Sequence, residues 1–300
     1  MNSLSGWQKM ADDRSLLEKA RRELLWRHCV RDEKYALRNF WSIKVPGVGR
    51  MLFDLREAQV QAIDHWNENR YSLTLKARQI GWSTSVAAHC WHTAFFQPDR
   101  EILLISKGER EAALLLSKVK YGLAHLPRWM WDRGPTLVTD SKTQVEFSNG
   151  SSITSLPSAS DPARSFAGYL IVVDEWAFLN DPDSAWASIE PTADVGGRII
   201  GLSTANGHGN FFHTLWVEAE TGVNFFKTMF QSWRAGGRDD AWYATKKGAL
   251  PAWQLAQEYP DNPEEAFLKS GNPVFDLDIL WEMGKHIATP KIGMLVEAIV

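Results

Sequence analysis

The chain has 300 residues, enough for one large domain or two small ones, and its 44% hydrophobic and 23% charged content is ordinary for a globular protein. A net charge of −3 excludes a free-standing basic module that coats nucleic acid, so any DNA contact must come from a local patch or from a ring that concentrates weak contacts. Two cysteines, Cys29 and Cys90, exclude a disulfide framework and a Cys-rich metal site and fit a reducing compartment. The first residues lack an apolar signal core and no apolar run is long enough to span a membrane, so the expectation is a soluble, intracellular protein.

Residues 12–40 read as a helix, with Leu16, Leu17, Leu24, Leu25 and Cys29 near helical spacing. "KVPGVGR", 44–50, breaks it with Pro and Gly, and 55–69 is a second helix. The period then changes. "YSLTLKA" is a short strand, and "WSTSVAAHCWHTAFF" is a helix directly behind the following loop. His89 and His92 sit three apart on that helix, but further ligands at metal-binding spacing are missing. "EILLISK" is a strand of buried type and "EREAALLLSKVKYGLAHL" an amphipathic helix. "PTLVTD", "TQVEFSNG" and "SSITSLP" are short strands, with Asn149-Gly150 a hairpin turn. "GYLIVVDE" is the most apolar run and ends in two carboxylates, and "GGRIIGLSTANG" is another strand. "NFFHTLWVEAE" is helical and "VNFFKTMF" a further strand. The alternation predicts an α/β fold with a mostly parallel sheet, the 136–156 hairpin being an antiparallel addition. The 15 Trp are read as core with some subunit contacts.

Open parallel sheets bind ligands at the carboxyl ends of their strands, and three strands here end there in polar residues: 71–76, 169–174 and 199–203. "LTLKARQIGWST", 73–84, resembles the phosphate-binding pattern G-x-x-x-x-G-K-[ST], but Lys76 stands where the first Gly belongs and Trp82 where the Lys belongs. Gly81 permits close backbone approach, Ser83 (or Thr84) supplies a hydroxyl for Mg²⁺, and Lys76 and Arg78 supply cations from the other side of the loop. Asp174, after five apolar residues, suits a Mg²⁺ ligand, and Glu175 suits polarising a water. Ser203, Thr204 and Asn206 suit sensing a γ-phosphate.

Together, "KARQIGWST", "IVVDEWAF", "GLSTANG" and "YPDNPEEAFLKSGNPVFD" resemble the ATPase half of a large terminase subunit, the genome-packaging motor of tailed bacteriophages, over roughly residues 50–277. The resemblance implies an ASCE-type P-loop NTPase fold with helices flanking the sheet, one strand between the two Walker strands, and ATP and Mg²⁺ as ligands. It implies residues 1–50 as a helical extension, 51–268 as the ATPase core and 269–300 as a linker toward an absent nuclease domain. An early loop Lys occurs in the family, so Lys76 fits. The ATP-binding set it implies is Gln59, as the adenine reader, with Lys76, Ala77, Arg78, Gln79, Ile80, Gly81, Trp82, Ser83 and Thr84. Arg78 matches an arginine finger acting in cis, Asp174 and Ser83 hold the metal, Glu175 is catalytic, and Ser203, Thr204 and Asn206 lie on the coupling motif. Arg164, in "PARSFAG", is a candidate finger acting in trans; a solvated loop arginine is the alternative. The implied partners are double-stranded DNA, a portal protein, a small terminase subunit and further copies in a ring, read as a pentamer on the portal with a monomer as the free form. The implied location is the host cytoplasm and, transiently, the procapsid, with no membrane.

The chain departs from the family in its end: Asp276 and Asp278 do not make a two-metal nuclease site, so DNA cutting is not expected. Two other readings share the elements. A helicase-like translocase needs a second lobe for which too little chain follows residue 203. A degenerate nucleotide-binding scaffold is favoured by Trp82 in the Lys slot and opposed by Lys76 and Glu175.

Overall fold

The computed structural model describes residues 3–158, 163, 166–194, 196–268 and 283, with the backbone alone at 3–14 and 268. Ser3–Arg31 (α1) and Glu33–Phe40 (α2) divide the helix expected over 12–40. The division falls at Asp32, whose carboxylate leaves helical geometry to accept the Tyr35 amide at 2.9 Å as an N-cap. The segment 44–50 is more than a break: Ser42–Val45 (β1) and Gly49–Leu52 (β2) pair antiparallel around Gly47 at φ 76°. This hairpin straddles residue 50, where the sequence places the edge of the helical extension.

Glu57–Glu68 (α3), Tyr71–Lys76 (β3) and Trp82–Phe96 (α4) follow, then Glu101–Ser106 (β4) and Glu109–Leu123 (α5). A short helix, Arg128–Arg133 (α6), lies where the sequence shows no period. Leu137–Asp140 (β5), Gln144–Phe147 (β6), Ser152–Pro157 (β7) and Leu170–Asp174 (β8) lead to Pro182–Asp194 (α7), Arg198–Ser203 (β9) and Phe211–Glu220 (α8). Lys227–Gln231 (β10) starts four residues later than the run "VNFFKTMF" suggests. Three helices complete the described chain: Asp240–Ala249 (α9), Ala252–Glu258 (α10) and Pro263–Leu268 (α11).

Among the described residues the main sheet has the order β10-β3-β9-β8-β4-β7-β6-β5. Pairings from β10 to β7 are parallel, and β6 and β5 add antiparallel. The expected antiparallel hairpin is present as β6 and β7, and β7 in addition joins the parallel core beside β4, where its apolar Ile153 is wholly buried. The turn at Asn149-Gly150 is as expected, with Gly150 at φ 82°.

Strand residues alternate between two cores, as a sheet covered on both faces requires. Ile102, Leu104, Leu170, Val172, Ile200 and Leu202 face α3, α4 and α5, while Leu103, Ile105, Ile171, Val173 and Ile199 face α7 and α8. α4 is buried almost all round, from Ser85 to Phe95, which fixes its amino end against the sheet edge. The helical extension is docked on it. Trp26 packs on Phe96 at 4.9 Å between ring centroids, and Glu33 accepts from His89 at 2.8 Å. His92 bonds the Cys29 carbonyl at 2.8 Å, so the His pair ties helices together. Asp276, Asp278 and the linker expected over 269–300 lie outside the described residues, Met283 excepted.

Candidate nucleotide site

Crossover connections bring the carboxyl ends of β3, β8 and β9 together, and β9 lies between the other two. Thr74 pairs with Leu202, and Leu202 with Asp174, so the polar residues that follow these positions share one edge.

At that edge the Lys76 ammonium meets the Glu175 carboxylate at 3.0 Å. The Lys76 residue is 5% exposed, whereas the Glu175 side chain is 31% exposed and reaches the surface. Burial alone lowers an ammonium's affinity for its proton, but Glu175 and Asp174 outweigh it and hold Lys76 above its ordinary value. Burial would likewise raise Glu175; the neighbouring Lys76 outweighs it and holds this carboxyl below the usual range, helped by the Thr204 backbone amide. Asp174 goes the other way. Its burial, with Glu175 alongside, raises it despite Lys76 and a hydrogen bond at 3.1 Å from the Ser83 hydroxyl. One lysine is therefore shared between two carboxylates, and Asp174 is the under-compensated one.

The loop between β3 and α4 is built to expose backbone. Gly81, the N-cap, has no side chain to cap the helix, so the Trp82 and Ser83 N–H groups in the first turn of α4 stay open to a ligand. Gly81 is at φ 91°, and a Cβ there would lie 2.8 Å from Arg56 Nη2 and 2.9 Å from Gln59 Nε2. Gln79 is also left-handed, at φ 58°. Gln59 is 3% exposed, and its Oε1 accepts from the Arg56 amide at 3.0 Å, leaving the amide nitrogen against Gly81. Gln59 thus borders the loop as expected.

Other expected residues sit differently. The Trp82 and Ile80 side chains are core, each 2% exposed, so only their backbones are available at the loop. Ala77 is wholly buried and its amide bonds the Gln231 carbonyl at 2.8 Å. The Thr84 amide bonds the Gly81 carbonyl at 3.1 Å, and Ser83, not Thr84, touches Asp174. Arg78 turns to Glu258, Nη1 to Oε1 at 2.9 Å, with its side chain 59% exposed. Arg164 lies outside the described residues.

Ser203, Thr204 and Asn206 converge on the turn that carries Glu175. The Ala177 amide donates to Ser203 Oγ at 3.0 Å, Asn206 Nδ2 donates to the Ala177 carbonyl at 3.0 Å, and the Thr204 amide faces the Glu175 carboxylate. Glu175 itself is left-handed at φ 55°, a conformation that costs a non-Gly residue about 1–3 kcal/mol and persists where surroundings enforce it.

Sequence reasoning missed three residues that shape the loop. Arg56 Nη2 donates to the Ile80 carbonyl. Arg238 donates to the carbonyls of Arg78 and Gln79, at 3.2 and 3.1 Å, and stacks 4.1 Å from the Trp242 ring. Glu258 binds Arg78. Arg238 and Glu258 lie about 160 and 180 positions from the loop, and no local pattern marks them. Arg56 is adjacent to Gln59, and its place at the N-cap of α3 was the available signal.

The arrangement fits a polyphosphate with a hard divalent cation. It offers a buried ammonium, open helix amides, a hydroxyl and a carboxylate that lacks its full counter-charge. Among the described residues no group of three or more His, Cys, Asp or Glu is placed to hold a metal by itself. Mg²⁺ does not require one, because it keeps waters and shares phosphate oxygens. A separate cavity of about 810 Å³ beside Tyr71, Trp186 and Phe225 opens at the opposite, amino-terminal edge of β3 and β10 and does not reach this chemistry.

No family model matches the chain. Solved structures do. The ATPase domain of the large terminase of Thermus phage P74-26 superposes with a TM-score of 0.56 at 18% identity, over 69% of this chain and 93% of that one. The chain has the fold of a phage large-terminase ATPase domain. The large terminase of bacteriophage HK97 gives a TM-score of 0.61 at 13% identity, over 78% of this chain and 55% of that one. The large terminase of a thermophilic bacteriophage, solved in complex with ADP, gives 0.55 at 9% identity over 71% and 54%. This chain therefore spans about half the length of these last two terminases. One strand, β9, lies between β3 and β8, as the terminase resemblance implies.

Proposed function

We propose that this chain is the ATP-hydrolysing motor module of a phage terminase, driving double-stranded DNA into a procapsid. The observation that carries the reading is the buried Lys76 ammonium facing the Asp174–Glu175 pair, with Ser83 bonded to Asp174. The terminase fold, and the ADP complex of the thermophilic-phage relative, support it.

The roles follow from charge and reach. Lys76, Arg78 and the open amides of α4 draw the polyphosphate; Gln59 borders the loop on the side where a base would be read. Ser83 and Asp174 are the residues to hold Mg²⁺, which when bound neutralises phosphate charge and completes the counter-charge Asp174 lacks. Without nucleotide, Glu175 is held by Lys76 at 3.0 Å. Phosphate oxygens compete for that ammonium, and Glu175, still held by the Thr204 amide, is then free to orient and deprotonate a water. Because Thr204, Ser203 and Asn206 all bond the turn around Glu175, a change there is passed to β9 and the loop before α8. The burial of Trp82 in the core supports an active site over a degenerate one, since position 82 serves packing and Lys76 is the cation this reading assigns.

Portal, small subunit, DNA and a ring of copies are the partners this reading assigns, in the host cytoplasm and on the procapsid. Among the described residues no helix is long and apolar enough to cross a membrane. Two basic stretches, 106–110 and 118–120, are candidates for gripping DNA; Lys120 of the second is paired with Asp140 at 2.5 Å, whereas in the first it is the acid, Glu109, that is paired, with Lys142 at 3.1 Å. The test is Mg²⁺-dependent ATP hydrolysis by the chain and by Glu175→Gln, with and without duplex DNA. Loss of turnover by a factor of about 10²–10⁴ with ATP binding retained is expected. A chain that binds no ATP, or a variant as active as the parent, overturns the reading.

A further inference from the structure

The cavity at the amino-terminal edge of β3 and β10 has aromatic walls and an acidic mouth. Trp186 and Phe226 pack at 5.7 Å between ring centroids and, with Tyr71 and Leu215, belong to the core that α7 and α8 cover. Phe225 has no ring partner among the described residues and is 84% exposed, and Val223 stands exposed beside it. Large exposed side chains that continue an apolar pocket mark a surface that another chain covers. Glu68, Glu190, Asp194 and Glu218 ring the opening and form no ion pair among the described residues. Arg70 and Lys227 are the cations there, and Arg70 is already spent on the carbonyls of Ala193, Asp194 and Gly197. The excess of carboxylates repels nucleic-acid phosphates and attracts a basic partner.

The chain itself carries the matching surface. On α1, Leu17, Ala20 and Leu24 follow helical spacing, with Leu16 alongside, and all three leucines are exposed. Lys19, Arg21, Arg22, Arg27 and Arg31 of the same helix outnumber Glu18 and Glu23. Trp26 and Cys29 anchor α1 in the core around α4, whereas the cavity walls belong to the core on the other face of the sheet. The helix therefore lies across the sheet from the cavity of its own chain. We propose that the Leu17–Leu24 face of α1 in one copy docks in the Trp186–Phe225 cavity of the next. This gives a surface to the ring of copies that the proposed function assigns, and it rests on that part of the reading, not on hydrolysis. The leucines are the apolar anchors and the arginines meet the carboxylates of the mouth. Because the two patches differ, each contact leaves a free helix at one end and a free cavity at the other, so copies add until a ring closes. The cavity and Lys76 lie at opposite edges of the sheet, so docking leaves the nucleotide site open.

The test is sedimentation velocity of the full chain without nucleotide, over a range of concentration. The parent is expected to associate beyond a dimer as concentration rises. Phe225→Asp, which spoils the cavity, and the double variant Leu17→Asp with Leu24→Asp, which spoils the helix face, should each raise the apparent dissociation constant about tenfold or more. All three positions are exposed, so far-UV circular dichroism and urea midpoints should stay at parental values. An equimolar mixture of the two variants retains one intact helix face and one intact cavity, and is expected to give a 1:1 dimer and nothing larger. Should Phe225→Asp fail to fold, Glu190→Lys takes its place at the mouth and is expected to weaken association in the same direction. A parent that stays monomeric up to its solubility limit overturns the contact and leaves the cavity to a different basic protein. Variants that associate like the parent, or a mixture that stays monomeric, overturn it too. ATP affinity measured in parallel keeps the two readings apart: a chain that associates as expected and binds no ATP overturns hydrolysis alone, and one that binds ATP without associating overturns the contact alone.

Discussion

Trp82 packs against Trp66 of α3, ring centroids 5.4 Å apart and planes at 64°, and this contact explains why a lysine is absent from the usual place in the loop. Position 82 is the first residue of α4 and is 2% exposed; its side chain serves the core between α3 and α4, and the cation has moved to the end of β3. Trp82→Lys, which restores the usual motif on paper, is therefore expected to damage the protein. It removes a large ring from a packed site and places an ammonium there without a partner, a loss of about 3–5 kcal/mol in unfolding free energy. Urea unfolding and ATP binding check this. A Trp82→Lys variant of parental stability and improved ATP affinity would show that position 82 faces the loop after all.

Asp174→Asn is expected to stabilise the nucleotide-free chain while removing Mg²⁺-dependent nucleotide binding. Asp174 is raised by burial and by Glu175, so the folded chain holds its proton better than the unfolded one. Ionisation of Asp174 thus costs stability as pH rises from the ordinary carboxylate value through the raised one, and the cost is absent below both. The variant should melt a few degrees above the parent at pH 7, with the difference shrinking as pH is lowered toward about 4. Thermal melts across that range decide it. A variant that is less stable than its parent at pH 7 would mean the Ser83 bond and Lys76 compensate the charge fully.

Gly81→Ala separates loop geometry from charge. The backbone at φ 91° strains an alanine by about 1–3 kcal/mol, and its Cβ displaces the ends of Arg56 and Gln59. Both ends are already committed, Arg56 to the Ile80 carbonyl and Gln59 to the Arg56 amide, so the displacement spreads along the loop. Nucleotide affinity is expected to fall more than melting temperature does, which parallel titrations and melts would show. Equal affinity in the two proteins removes Gln59 from the base-binding side.

How far the sequence reached depends on the length of each signal. β3, α4, β4 and β8 were readable because an apolar run or a period is complete within each, and α4 was bounded to the residue by Gly81 and its apolar content. The β1–β2 hairpin was not, since four-residue strands around Pro46 and Gly47 look like a break. β7 was paired with β6, as the structure has it, but its second, parallel partner β4 was not legible, because a strand's sequence states that it is buried, not which further neighbour buries it. At the site, Lys76, Ser83, Asp174, Glu175 and Thr204 were legible as strand-end chemistry, and the structure brings them together. Arg238 and Glu258 were not, because their role comes from α9–α11 folding back on the loop, a tertiary fact with no local period.

Glu33 offers a test remote from the nucleotide. Its carboxylate is buried, accepts from His89 at 2.8 Å and from Asn67 at 3.1 Å, and is held below the usual range because His89 and the Asn67 bond outweigh the effect of burial. It therefore joins α2 to both α3 and α4. Glu33→Ala leaves His89 and Asn67 buried without that acceptor and should cost about 3–5 kcal/mol. Sign and window follow from the direction of the shift. A depressed carboxyl stabilises above its ordinary value, and that contribution disappears as pH falls through the lower folded value. His92 works in the same direction at higher pH: burial holds it below its ordinary value, so the fold loses stability as pH drops below about 6.5. The parent should thus lose stability in two stages on acidification, and Glu33→Ala should lack the lower one. Urea midpoints measured from pH 8 down to about pH 2 resolve the stages. A variant whose acid profile runs parallel to the parent's over that whole range would mean that Glu33 does not hold the helical extension onto α4 through its charge.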